Sequence, residues 1–481
     1  MSKYYVTTSI PYVNGEPHLG HAMEFVMADV LARRARLSGE EVIYSTGTDE
    51  HGGKIAEKAA EHKLEPKALA DQMSSSFSQL AARLNISNDR FIRTTDPGHE
   101  QRAQLIWEAL EKDIYKDSYV GWYCTGDEEF FSEKIVKQNN GTCPDHNRPY
   151  EKIEEENYFF KLSKYTDQIK QAIESGDYEI IPKTRRNEAL GVIKEGLEDI
   201  SISRPKDKIS WGIPVPGDDT QVMYVWFEAL MNYITVLGYP EHQDFKDYWP
   251  ANVMVIGKGI LRFHAAIWPG MLLGLGLPLP TKLYVHGYVT VDDKKMSKSL
   301  GNSVSPNDII DKYGADAFRY YFLRHIPSYN DGDFSWKAFE DAYNNELANE
   351  LGNAVQRTVV MAQKYQSGVI GNMPSAEHDI AQYERAVAEC HFDRALDEVW
   401  EQVRGLNQYI EEEKPWVIAK EKDTEHLQEV LAYQASALLN IANLLEPFLP
   451  DTAGKIKAIF SEGLVRPIEG TLFPKHEDEP K

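Results

Sequence analysis

Two short stretches of the chain carry groups suited to handling a polyphosphate. His18-Leu19-Gly20-His21 sets two imidazoles around a glycine. Imidazole N–H groups can donate to phosphate oxygens, and glycine lets the backbone approach a ligand closely. Lys295-Met296-Ser297-Lys298-Ser299 packs two lysines and two hydroxyls into one pentapeptide. Such a set can neutralise charge that grows during displacement at phosphorus. Each stretch alone also fits a blander reading: a surface histidine pair, an incidental metal pair, or a solvated basic turn. What decides between the readings is the elements that present them.

Tyr4 to Ile10 is a β-branched and aromatic run, hence a strand, and Pro11 and Gly15 mark the turn after it. Apolar residues recur near helical spacing from about His21 to Leu37, with Gly39 as the C-cap. Glu41 to Ser45 is a second strand, left by the loop Gly47-Thr48-Asp49-Glu50-His51. A strand–helix–strand unit this short implies a parallel pair with a right-handed crossover. Further on, Asn252 to Ile256 reads as a strand, Leu261 to Leu273 as a helix, and Lys282 to Val291 as a strand running into the lysine-rich loop. Both signatures therefore follow carboxyl ends of strands in an α/β sheet, where such sheets bind ligands, and the first precedes a helix N-terminus that favours anions.

Composition bounds the class. The 481 residues are 42% hydrophobic and 26% charged, enough for several domains with buried cores and ordinary for a soluble protein. Net charge is −23, which opposes indiscriminate nucleic-acid binding but permits a local basic track. Three cysteines exclude a disulfide scaffold, the uncharged stretch Ala265 to Pro280 is too short to span a bilayer, and MSKYYVTTSI lacks the apolar core of a secretion signal. A cytoplasmic protein is expected.

With the neighbouring text included, the chain resembles the class I aminoacyl-tRNA synthetases, and within them the methionyl-tRNA synthetase family. The resemblance is carried, in family order, by TTSIPYVNGEPHLGH (7–21), TGTDEHG (46–52), SISRPK (201–206), WGIP (211–214), YVWFEAL (224–230), IGKGILRFHAAIWPGML (256–272), KMSKSLGN (295–302), LGNAVQRT (351–358) and EKPW (413–416). It implies an ATP-dependent ligase that makes methionyl-adenylate and pyrophosphate, then passes methionine to the terminal adenosine of its tRNA. The implied fold is an α/β, Rossmann-like parallel-sheet catalytic domain split by an insertion and followed by an all-α anticodon-binding bundle. The expected boundaries are 1–115 and 222–305 for the catalytic halves, 116–221 for the insertion, 306–338 for a helical junction and 339–481 for the bundle.

The resemblance also implies roles. His18, His21, Lys295 and Lys298 would act on the phosphates, with Mg²⁺ assisting, and Asn14, Gly20, Glu24, Gly257 and Val289 would hold ATP. Asp49 would pair with the methionine ammonium, although the residue alone reads equally as a helix N-cap. Ile10, Tyr12, Trp226, Ala229, Leu230, Tyr233, Ile260, Phe263 and His264 would form the side-chain pocket. Its rings suit a thioether, since sulfur–aromatic contacts contribute about 0.3–1.5 kcal/mol, and Tyr12 and His264 could offer hydrogens to the sulfur. Asn353, Arg357 and Trp416 would read the CAU anticodon of tRNA(Met), though Trp416 alone could be an ordinary core residue. No further tRNA-binding, dimer-forming domain follows the bundle, so a monomer is expected.

The chain departs from the family at three places. Cys124, Asp127, Cys143 and His146 stand where one subgroup holds zinc, with Asp127 in place of a cysteine. Structural zinc sites are normally built from Cys and His. Gly259 and Glu228 each stand where the family has Asp. Two rivals remain. Another class I synthetase is disfavoured, because the insertion is too short for an editing domain and no cysteine adjoins either signature; a small adenylyltransferase needs neither insertion nor bundle. A non-catalytic RNA-binding relative should have lost signature residues, yet His18, His21, Asp49, Lys295 and Lys298 are all present.

Overall fold

The computed structural model describes all residues except 127–128, 132, 145–146, 296–303, 375–378, 462 and 476–481, and leaves out the side chains of residues 119, 129, 130 and 295. The chain divides into two compact units. One holds Met1–Pro17, Ala35–Ala81 and Ser87–Val285; the other holds His18–Arg34, Ala82–Ile86 and His286–Lys481.

The first unit is built on a six-stranded sheet of β1 (Lys3–Thr8), β2 (Glu41–Thr48), β3 (Arg90–Arg93), β4 (Glu179–Ile181), β5 (Val253–Gly257) and β6 (Lys282–His286). Their order across the sheet is β3-β2-β1-β5-β6-β4, and the described registers are parallel. Chain order reverses between β1 and β5, which makes the crevice beyond their carboxyl ends the switch point where such sheets bind ligands. The strands are apolar runs, as parallel strands covered on both faces must be. Met254, Ile256, Leu283 and Val285 lie in one core with Trp268 and Met271. Gly47 is required where β2 approaches β3, since a Cβ there would meet the Ile92 carbonyl oxygen at 2.0 Å.

The polar middle of the sequence forms an antiparallel sheet in the order Glu129–Phe131, Ile114–Cys124, Glu151–Phe160, Ile200–Ser201. Its long central pair runs in register from Ile114 opposite Phe160 to Tyr123 opposite Glu151. Alternating polar and apolar residues suit a sheet with one wet face.

The second unit is mainly helical. Pro306–Tyr313 and Ala315–Arg324 flank Gly314, as expected, and helices then dominate from Trp336 to Ile459. In Phe392–Glu413 the buried residues Phe392, Leu396, Val399, Val403, Leu406 and Ile410 recur at three- and four-residue steps, so one stripe faces the core. Arg319, 0% exposed, ties this unit together. Its guanidinium pairs with Asp29 at 2.8 Å and donates to the carbonyls of Phe448 and Pro447 at 2.6 and 2.9 Å.

Three local expectations are corrected. The run Lys282 to Val291 is two strands, Lys282–His286 and Val289–Val291, broken at Gly287, where a Cβ would strike the Asn330 backbone at 2.3 Å. The segment after β5 enters its helix through a π-turn, Phe263–Ile267, before Trp268–Leu275. The second strand continues through Gly47 to Thr48 because β3 pairs with that end. Apolar periodicity registers none of these backbone details.

Candidate active site

The methionine-type residues lie at the carboxyl ends of three adjacent parallel strands of the first unit. Ile10 and Tyr12 follow β1, Asp49 follows β2, and Gly257, Ile260, Phe263 and His264 follow β5. Tyr12 and Asp49 form a parallel bridge, with Val13 N–H donating to Asp49 O at 3.1 Å and Asp49 N–H to Pro11 O at 2.9 Å. Asp49 is 5% exposed, and the next helix, Gly53–His62, has Gly52 as its N-cap. The cap reading of Asp49 is thereby set aside.

Helix Val225–Leu230 and the turn after it supply Trp226, Ala229, Leu230 and Tyr233. The Trp226 and Phe263 rings stack 4.0 Å apart at 18°, and both line a cavity of about 880 Å³ whose wall is otherwise made mainly by residues from 131–135 and 188–201 and includes neither Tyr12, Asp49, Tyr233 nor His264. His264 is buried, with Nδ1 2.9 Å from Ile260 O and Nε2 2.7 Å from Tyr233 Oη. A carbonyl only accepts, so Nδ1 carries the hydrogen and Nε2 accepts from the tyrosine. Burial lowers the His264 pKa to about 4, so the ring is neutral at pH 7. Both nitrogens are thus engaged, which corrects the expectation that His264 offers a hydrogen to a sulfur. Tyr178 Oη donates to His264 O at 2.8 Å and Tyr5 Oη to Tyr233 O at 2.9 Å, so hydroxyls from the core hold the backbone of both partners.

In the second unit, His18 precedes helix Leu19–Leu37 and caps it, and the Ala22 N–H to His18 O bond of 3.1 Å marks its position. His18 Nδ1 accepts from the N–H groups of Gly20 and His21 at 3.2 and 3.4 Å, and His21 Nδ1 accepts from the His18 N–H at 3.3 Å. This is the reciprocal geometry of a capping box, made with two imidazoles in place of hydroxyl and carboxylate. The rings stack with centroids 3.6 Å apart. With each Nδ1 accepting, the neutral rings carry their hydrogens on Nε2, beside a helix N-terminus. Burial, then the charges of His18 and His286, push the His21 pKa well down.

Glu24 is committed elsewhere in that unit: its Oε2 is 2.8 Å from His286 Nε2, and His286 Nδ1 faces Gly287 O at 2.8 Å. Val289 is buried in a strand that pairs with Gly332–Phe334. Asn14 in the first unit is exposed, while Gly257 ends β5. Lys295 ends the short strand Lys294–Lys295, whereas Lys298 lies outside the described residues.

On the helical unit, Asn353 is exposed and Arg357 and Trp416 are partly exposed. The Arg357 guanidinium lies 5.2 Å over the Trp416 ring and pairs with Glu411 at 2.7 Å. Trp416 is therefore a surface residue rather than a core one. Cys124 and Cys143 are buried in one small cluster with Val136 and Tyr150 and form no disulfide. Asp127 and His146 fall outside the described residues, and among the described ones no three His, Cys, Asp or Glu side chains could hold a metal ion.

A buried group escaped the sequence reading. Glu228 bridges His51 and His99, and Glu50 accepts from Arg93 at 2.7 and 2.8 Å. The available signal was Glu228 alone, an acid inside the apolar run Val225 to Leu230 and already notable as a departure.

The sequence matches the family described as tRNA synthetases class I (M) over residues 4–152 and 146–359. It is 44% identical over 469 residues to a methionine–tRNA ligase of Caldanaerobacter subterraneus subsp. tengcongensis, covering 94% of this chain and 73% of that protein. A methionine–tRNA ligase of Brucella melitensis is 40% identical over 494 residues, with 97% of this chain and 95% of that protein covered. The structure of Mycobacterium tuberculosis methionyl-tRNA synthetase in complex with methionyl-adenylate superposes with a TM-score of 0.93 at 37% identity, covering 98% of this chain and 100% of that one.

Proposed function

The chain belongs to the class I tRNA synthetases of the methionine type, and on that premise we propose how its own residues carry out the two steps of a methionine–tRNA ligase. In the first step the methionine carboxylate attacks the α-phosphorus of ATP, and pyrophosphate leaves as methionyl-adenylate forms. The carboxylate is ionised at pH 7 and needs no general base. What remains is alignment and stabilisation of charge on the phosphates.

Asp49 holds the ammonium, and Trp226, Phe263, Tyr233, Ala229 and Leu230 enclose the side chain, with Ile10, Tyr12 and Ile260 completing the wall. The observation that carries this reading is the arrival of Tyr12, Asp49 and the Ile260–His264 turn at the carboxyl ends of adjacent strands, at the switch point of the sheet. His264 acts by buttressing Tyr233. Such an apolar pocket separates near-isosteres by only about 1–3 kcal/mol, so close methionine analogues are activated too.

The Nε2–H groups of His18 and His21 donate to phosphate oxygens. The cap that sets this tautomer supports the role: both Nδ1 atoms accept backbone N–H groups, so the ring hydrogens sit on Nε2 at a helix N-terminus. Gly20 permits close approach there, and Lys295 and Lys298 neutralise the departing pyrophosphate. Asn14 and Gly257 touch the nucleotide, and Glu24 acts through His286. Mg²⁺ accompanies ATP as its counter-ion and shields the phosphates. In the second step a ribose hydroxyl of the terminal adenosine of tRNA(Met) attacks the methionyl carbonyl of the adenylate and AMP leaves, while Asn353, Arg357 and Trp416 read the unpaired CAU bases by edge hydrogen bonds and stacking, the usual mode for RNA loops.

A monomer working in the cytoplasm is part of the same proposal, and light scattering tests the monomer. Zinc at Cys124, Asp127, Cys143 and His146 has no part in these steps, and elemental analysis of the purified protein measures it. The decisive experiment is ATP–pyrophosphate exchange with each of the twenty amino acids. Exchange with methionine alone is expected, and exchange with a different one overturns the pocket assignment.

A further inference from the structure

Glu228 joins two imidazoles that the steps above leave unused. Glu228, His51 and His99 are 0%, 2% and 2% exposed. Glu228 Oε1 lies 2.9 Å from His51 Nδ1, and Oε2 lies 2.9 Å from His99 Nε2. An ionised carboxylate only accepts, so both rings donate to it. Burial is the largest influence on His51 and by itself would lower its pKa, but Glu228, Glu100 and Asp49 together outweigh it and raise the pKa to about 10. Burial would likewise raise Glu228, and His51 and His99 together lower it instead. The other charges facing His51 are Asp49 and Glu100, whose Oε1 is 3.6 Å from His51 Nε2.

The bridge connects two elements that carry methionine contacts. His51 stands two residues after Asp49 in the loop leaving β2, and Glu228 stands between Trp226 and Ala229 on the pocket helix. Trp211 secures the loop from outside: its ring lies 5.3 Å from that of His51, its Nε1 donates to Glu50 O at 2.6 Å, and its carbonyl accepts from Gly52 N–H at 3.0 Å. The Tyr12–Asp49 bridge fixes the loop's start, Trp211 holds its flanking backbone, and the His51–Glu228 contact ties it to the pocket helix.

We propose that Glu228 is a positioning residue for methionine activation, holding His51 so that the loop after β2 presents Asp49 to the substrate ammonium. The inference rests on the reading of Asp49 as the ammonium anchor. Glutamine at 228 has one acceptor for two imidazole donors, so one ring N–H would face an amide N–H. Aspartate keeps the charge but is one methylene shorter.

The test uses the full chain in ATP–pyrophosphate exchange, comparing methionine with 4-(methylthio)butanoate, methionine lacking its amino group, as a competitive inhibitor. Glu228→Gln is expected to raise KM for methionine roughly tenfold to a hundredfold, as misplacement of a binding group does. KM for ATP and Ki for the desamino analogue should stay within about twofold, because neither involves the ammonium. Glu228→Asp should lie between Glu228→Gln and the parent. Equal weakening of methionine and the analogue would show that Glu228 only supports the fold, and no weakening of either would also overturn the proposal. If Glu228→Gln does not fold, His51→Gln carries the same expectation. Asp49→Asn separates the two levels. If it leaves methionine KM unchanged, the anchor reading fails and this proposal with it. If it weakens methionine selectively while Glu228→Gln does not, the positioning role alone is wrong.

Discussion

The proposed methionine pocket of the sheet unit and the proposed anticodon face around Arg357 and Trp416 in the helical unit both use aromatic rings, yet they are built in opposite ways. In the pocket, Tyr233 and His264 are at most 2% exposed, each polar atom of the pair has a partner, and further tyrosines hold the backbone behind them. On the helical face, Asn353 is exposed and Trp416 is partly exposed beneath an arginine that also reaches Glu411. A small amino acid offers few atoms to read, so selectivity must be built into rigid, dry walls before it arrives. Unpaired RNA bases bring large π-faces of their own and can be met by rings left at the surface.

Substitutions break that comparison in order of size. His21→Ala removes a phosphate donor on which both steps depend, so exchange and aminoacylation should both fall by roughly 10²–10³-fold, the usual loss for one charge-stabilising donor. Parallel assays check this; a loss confined to aminoacylation would overturn the assignment. Trp416→Ala should weaken tRNA binding by about 1–3 kcal/mol, the contribution of one stacked base. Exchange without tRNA should be unaffected, and filter binding beside exchange kinetics reads the split.

Tyr233→Phe sharpens the other side. It leaves His264 Nε2 buried without its donor, at a cost of about 1–3 kcal/mol. The expected result is a raised methionine KM in exchange and a lowered melting temperature, with tRNA affinity unchanged. The smallest effect concerns pH. His264 has a pKa of about 4 when folded and 6.5 as a free side chain, so below pH 6.5 the unfolded chain binds a proton that the folded chain refuses. Stability is therefore full above pH 6.5 and is progressively lost between pH 6.5 and 4. Urea unfolding across that window should show a smaller loss in His264→Gln than in the parent.

Much of the molecule was legible along the chain. Strand, helix and strand at the start, the two helices around Gly314 and the long helical bundle follow apolar periodicity, and the structure has them within a few residues. That Gly52 rather than Asp49 caps the next helix, and that Trp416 lies at the surface, emerged only in three dimensions, because a capping and a non-capping acid, or a core and a surface tryptophan, look alike in one dimension. The break at Gly287 and the π-turn at Phe263 arise from backbone contacts with Asn330 and from local hydrogen bonding, which hydrophobic patterns do not record.

What the sequence determined by itself was the inventory and order of chemistry: two histidines before a helix, an acid after the second strand, aromatic residues at helical spacing, and Asn353 and Arg357 on one face of a helix. Those follow from local spacing, which the chain carries explicitly. The folded structure alone decided which ring nitrogen carries the hydrogen in His264, through its contact with Tyr233, and that Glu228 bridges His51 and His99. A proton's position depends on which acceptor stands opposite at about 3 Å, and residues as far apart as His51 and Glu228 acquire that opposition only when the sheet and its helices close around them.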